Sequence, residues 1–102
     1  MAAPEIPSRF TPEEIEALIP VYRDGLLEST LPFWIKHSID RERGGFLFCL
    51  NRDGSVLSTD KPVWLHGRFV WLLSTLYTMV EKRGEWLDLA KHGLDFLRKR
   101  CF

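Results

Sequence analysis

Asp60-Lys61-Pro62-Val63-Trp64-Leu65-His66-Gly67-Arg68-Phe69-Val70-Trp71 is the stretch on which the reading of this chain turns. Asp60-Lys61-Pro62 is a helix-start signal, with proline at the first turn. On the helix that follows, Trp64, Arg68 and Trp71 fall at i, i+4 and i+7 and share one face. That face is a guanidinium flanked by two indoles. A core face rarely holds a guanidinium, and a solvated face rarely holds two tryptophans. A concave pocket for a polar ligand has use for both: flat apolar walls, and fixed donors for an oxygen-rich molecule. The competing reading is an arginine that snorkels past core indoles to solvent. Paired with a carboxylate such as Asp40 or Asp60, Arg68 would also be satisfied without a ligand.

The helix carrying this face is expected from about Pro62 to Arg83, with Gly84 as its C-terminal stop. It is apolar almost all round, through Val63, Leu65, Phe69, Val70, Leu72, Leu73, Leu76, Tyr77, Met79 and Val80. Such a helix is expected to be buried on most sides. The next helix, from about Glu85 to Arg100, is amphipathic. Trp86, Leu89, Ala90, Gly93, Phe96 and Leu97 form one stripe, and Asp88, Lys91, Asp95, Arg98 and Lys99 the opposite face. The short turn between the two makes them an antiparallel pair.

Upstream, Thr11-Pro12-Glu13-Glu14 is a capped helix start. Ile15, Leu18, Ile19, Tyr22 and Leu26 continue at helical spacing. Pro20 within that run predicts a kink, and the helix is expected to end near Thr30. Phe46–Leu50 and Ser55–Leu57 around Asn51-Arg52-Asp53-Gly54 predict a small β-hairpin. Residues 1–10 read as an irregular leader. The expected class is all-α with one hairpin between the first and second helices.

The chain has 102 residues, with 14 Lys plus Arg against 14 Asp plus Glu, so its formal net charge is zero. That offers no electrostatic case for nucleic acid or an anionic membrane. Neither a signal-peptide pattern nor an apolar run of membrane-spanning length is found, so a cytoplasmic protein is expected. Cys49 and Cys101 form no CxxC pair and read as reduced thiols. No histidine pair has metal spacing with a carboxylate, so no metal is expected, and no phosphate-binding glycine loop or nucleophile triad occurs.

From Phe33 to Phe96 the chain resembles the N-terminal region of the N-acylglucosamine 2-epimerase family, which includes the cellobiose 2-epimerases. The resemblance rests on Phe33-Trp34, His37-Ser38-Ile39-Asp40, Gly44-Gly45-Phe46, Asp53-Gly54 and Lys61. It continues through the Trp64-to-Trp71 block, Trp86-Leu87-Asp88-Leu89-Ala90 and Asp95-Phe96-Leu97. It implies an (α/α)6 barrel in which residues 11–102 form an N-terminal fragment, about three of twelve helices. It also implies 2-epimerisation or aldose–ketose isomerisation of a sugar. A proton leaves C2, an enediolate forms, and a proton returns.

In that chemistry histidines act as acid and base, and an arginine stabilises the oxyanion; Arg68 occupies the arginine's position. Trp64 and Trp71 would wall the sugar. His66 stands where relatives commonly have glutamine and is a further substrate contact if it faces the pocket. Lying two residues from Arg68, however, it points about 160° away on a helix of 3.6 residues per turn. Packing at an inter-helix contact is therefore the reading preferred for it.

The family's acid and base histidines lie in later helices, and His37, His66 and His92 match none of them. The resemblance implies no cofactor. This chain alone is thus expected to be inert and marginally stable, and to self-associate or take a complementary fragment as partner. A non-catalytic helical interaction module, or a degenerate remnant of the family, is the rival reading. A glycoside hydrolase would need paired carboxylates at the pocket, and the Trp64 helix offers none. Asp40 with Gly44-Gly45 reads as a structural turn before it reads as a binding loop.

Overall fold

The computed structural model describes residues 9–101. They form two compact units divided between Phe33 and Trp34. Of the expected leader, residues 1–8 lie outside the described residues. The fold is mostly helical with one two-stranded antiparallel hairpin between the first and second helical stretches.

The first unit is helical. Helix α1 (Pro12–Asp24) begins with the expected capping box: Thr11 Oγ1 accepts from the Glu14 amide, and Glu14 Oε2 accepts from the Thr11 amide. Instead of ending near Thr30, the helical path passes through a π-helical segment, Gly25–Thr30, into α2 (Leu31–His37), of which Leu31, Pro32 and Phe33 belong to this unit. Pro20 lies inside α1 and lacks the N–H that would close its turn. The looser segment follows one turn later, where the Gly25 amide is shared between the Tyr22 and Val21 carbonyls. Pro32 enters as the second residue of α2. The apolar stripe of α1 is not a core face within its unit, since no residue of α1 is buried and Ile15, Ile19 and Tyr22 are exposed.

The second unit is built on α3 (Val63–Met79) and α4 (Gly84–Arg100), which pack against each other. Gly84 opens α4 rather than closing α3. The α3 helix stops at Met79, where the Val80 and Glu81 amides both reach back to the Leu76 carbonyl. The stripe foreseen on α4 is the buried one, with Trp86, Leu89, Ala90, Gly93 and Leu97 all inside. The α3 helix departs from expectation. Only His66, Leu73 and Leu76 are buried, and its opposite side is open.

Two short strands, β1 (Cys49–Leu50) and β2 (Val56–Ser58), pair antiparallel with an irregular register. The strand expected from Phe46 is shorter: Phe46 forms an isolated antiparallel bridge with Ile39, outside the hairpin, and its amide donates to the His66 ring. Phe46, fully buried, is the centre of this unit. Its ring meets Phe69 edge-on at 4.7 Å and Phe48 at 6.0 Å. A Cβ on Gly93 would collide with Phe46 and Val70, so this glycine permits the close approach of α4.

Candidate functional site

Two faces of α3 carry the residues singled out in the sequence. The first faces solvent. Trp64 is 63% exposed and Trp71 66% exposed, and Arg68 is exposed between them. Helical spacing brings the three together as expected, and the Arg68 guanidinium lies 5.4 Å from the centre of the Trp64 ring. No carboxylate among the described residues pairs with Arg68. Asp40, considered as its partner, is bound to Lys61 instead. Val63 and Met79 extend the same open side, with Met79 79% exposed. The five donors of the guanidinium are thus presented on an apolar surface, the arrangement that suits an oxygen-rich ligand stacked on indole. Within this chain Trp64, Arg68 and Trp71 are open to solvent.

The second face holds His66, which is 0% exposed. Its Nε2 accepts from the Phe46 amide at 2.9 Å. That bond fixes the tautomer, so Nδ1 carries the hydrogen and donates to the Pro62 carbonyl at 2.8 Å. The ring stacks on Phe96 at 4.8 Å and meets Phe48 edge-on at 5.0 Å. Burial pushes the imidazole below its ordinary pKa, opposed in part by the bond to Pro62 and reinforced by the charges of Lys61 and His92. His66 therefore stands apart from Arg68, with both ring nitrogens engaged by main chain, and has neither a lone pair nor a proton to offer a substrate in this geometry. His66, for which packing is the preferred reading and a sugar contact the lesser one, acts here as a bolt between α3 and the Gly45-Phe46 segment.

That segment is held from three further directions. Asp40 Oδ1 accepts from the Glu42 and Arg43 amides, closing the turn read from the sequence. Asp40 Oδ2 pairs with Lys61 Nζ at 2.6 Å, and the same ammonium donates to the Gly44 carbonyl at 2.7 Å. It also lies 5.3 Å from the centre of the Phe96 ring. The bond from Lys61, then the Arg43 amide, hold the Asp40 carboxyl below the usual carboxylate range. His92 Nε2 donates to the Gly45 carbonyl at 2.9 Å. Gly45 has φ +73°, and a Cβ there would come within 2.7 Å of His66 Nε2 and 2.8 Å of Phe96. Only glycine satisfies both the dihedral and the approach.

Lys61 and His92 are structural ties that the sequence alone did not reveal. Their partners lie 17 to 47 residues away and are main-chain atoms or a turn carboxylate. No local periodicity signals such bonds. His37 packs against Gly54 at the hairpin turn. Among the described residues no cluster of His, Cys, Asp and Glu has the arrangement to hold a metal ion, and no helix is long and apolar enough to cross a membrane. Cys49 and Cys101 are unbridged.

With this geometry in view, comparison with known proteins defines the class. The sequence profile of the family described as N-acylglucosamine 2-epimerase (GlcNAc 2-epimerase) matches residues 44–101, from the glycine pair to the end of α4. The chain belongs to that family. Over 73 residues it is 51% identical to the N-acylglucosamine 2-epimerase of Rattus norvegicus and 45% identical to that of Homo sapiens, covering 70% of this chain in each case. Over 85 residues, 82% of this chain, it is 38% identical to the cellobiose 2-epimerase of Ruminococcus albus. The matched segments span 17% of the length of the first two relatives and 21% of the third.

Proposed function

We propose that residues 11–102 form the N-terminal part of an (α/α)6 barrel that epimerises or isomerises a sugar at C2, with α3 an inner helix and α4 its outer partner. The observation that carries this reading is the exposed Trp64–Arg68–Trp71 face on a helix whose other side is saturated. An α4 with a single buried stripe suits an outer helix. An α3 that is apolar on both sides but covered on one suits an inner helix whose second side meets the remainder of a barrel.

In that setting Arg68 stabilises the oxyanion that develops as C2 loses its proton, and the indoles of Trp64 and Trp71 lie against the C–H faces of the sugar. The acid and base come from elsewhere. His66 is committed to main chain, and His92 holds Gly45. The 102-residue chain by itself is then inert toward C2 exchange. It associates through the open side of α3, with a second copy or with a complementary fragment of the family.

The test is a graft. The 73-residue matched segment replaces its counterpart in the rat relative, and epimerisation of N-acetylmannosamine is followed. The graft is expected to be active, and Arg68→Ala within it to lower kcat by about 10²- to 10³-fold, the cost of one oxyanion donor. An active graft indifferent to Arg68→Ala removes Arg68 from the chemistry. A folded graft without activity favours the rival reading, a helical interaction module or a remnant.

A further inference from the structure

A second concavity lies away from the Trp64–Arg68–Trp71 face. It is a cleft of about 360 Å³ between the Arg41–Gly44 loop and the last turns of α4. Four cations line it: Arg41 and Arg43 from the loop, Lys99 and Arg100 from the helix. Two acids, Glu42 and Asp95, share the walls, yet no ion pair joins them to any of the four among the described residues. In a chain whose charges sum to zero this is a local cationic surplus.

Lys99 and Arg100 have a simpler use, since cations at a helix C-terminus complement its dipole. That use does not extend to Arg41 and Arg43, which arrive from another segment and converge on the same hollow. Their base is rigid. Asp40 fixes the Glu42 and Arg43 amides, Lys61 ties down the Gly44 carbonyl, and His92 ties the Gly45 carbonyl to α4. Asp40, the carboxylate best placed to neutralise the loop, is spent on Lys61. Convergent cations on a fixed frame repel one another unless an anion lies between them. Two guanidinium forks from one loop match the geometry of phosphate oxygens, and two further cations close the opposite wall.

We propose that this cleft binds one small phosphate-bearing anion, held between Arg41 and Arg43 on one side and Lys99 and Arg100 on the other. The cleft is half open and its four cations are all exposed, and its volume of about 360 Å³ accommodates one small molecule. The site is independent of the proposed sugar chemistry, because none of its residues lies on α3.

Equilibrium dialysis of the full chain with ³²P-pyrophosphate tests it, and serves equally well if the chain self-associates. One saturable site per chain is expected, weakening as sodium chloride rises. The exposed double substitution R43Q/K99Q should loosen binding by about tenfold or more, as lost charge-assisted bonds do. Asp95→Asn should tighten it several-fold by removing a like charge, a gain that misfolding cannot imitate. Displacement of the label by orthophosphate and by a hexose 6-phosphate separates the sources: equal displacement means free phosphate, and tighter displacement by the ester means a phosphorylated sugar. Absence of saturable binding at millimolar pyrophosphate, or binding indifferent to both R43Q/K99Q and Asp95→Asn, overturns the proposal.

Discussion

The two sides of α3 teach opposite lessons about residues only two positions apart. His66 is a structural bolt, with each ring nitrogen satisfied by main chain. Arg68 is a helix-surface cation that pairs with no carboxylate among the described residues and lies beside two open indoles. The difference is not residue chemistry but direction. The buried side is over-determined by Phe46, Phe48, Phe96 and the Gly45 segment, whereas the open side is determined by nothing in these residues. Substitutions on the first side should therefore act on stability, and those on the second on association and, in a longer protein, on chemistry.

The sharpest contrast comes from aromatic truncations. Trp86 is 1% exposed in the shared core of α3 and α4, and Trp86→Ala should cost about 3–5 kcal/mol, enough to unfold a small domain. Trp71→Ala, a change of the same size on the open side, should stay within about 0.5 kcal/mol of the parent while lowering the binding of a hydrophobic dye. Urea titration followed by circular dichroism measures both. Equal losses would mean that the open side carries core packing of its own.

Next in size is the latch at Lys61. Lys61→Met leaves Asp40 half-buried without its cation and frees the Gly44 carbonyl, at an expected cost of about 1.5–3 kcal/mol. The Asp40 carboxyl titrates below its ordinary range when folded, so its contribution is fully present above pH 4 or so and fades as pH falls through the lower folded value. Lys61→Met should weaken that acid-side dependence, the Arg43 and Glu42 amides sustaining the remainder. A parent-like acid limb in the variant would detach Asp40 from the stability of the loop.

A smaller effect separates the two sides by pH. The His66 pKa is lowered in the fold, so below the ordinary histidine value near 6.5 the unfolded chain takes up a proton that the folded chain refuses. Stability should be complete above that value and decline from about pH 6.5 downward until the lowered folded pKa is reached. His66→Gln should flatten that slope, and Arg68→Gln should leave it untouched. Melting temperatures between pH 7.5 and 5 provide the readout, and a slope that persists in His66→Gln would assign the effect to another group.

The reach of the sequence follows the same division. Local rules found the capped start of α1, the α4 stripe, the hairpin and the grouping of Trp64, Arg68 and Trp71, because each depends on spacing within one element. They missed the π segment and the helical path through Pro32, where continued hydrogen bonding overrides a breaker. They placed Gly84 at the wrong helix end, since glycine suits either terminus and the Leu76 carbonyl had already stopped α3. They left open the Lys61 and His92 ties, whose partners are distant main-chain carbonyls and the Asp40 carboxylate. The all-round apolar character of α3 suggested burial on both sides, and these residues cover one.

The central claim, that α3 spends one side on folding and keeps the other for chemistry, is tested most directly by His66→Ala and Arg68→Ala compared side by side in urea. His66→Ala strands the buried Phe46 amide and should lower stability by about 1–3 kcal/mol. Arg68→Ala should change it by no more than about 0.5 kcal/mol, as exposed substitutions do. An Arg68→Ala loss equal to that of His66→Ala would contradict the account and make Arg68 a structural residue.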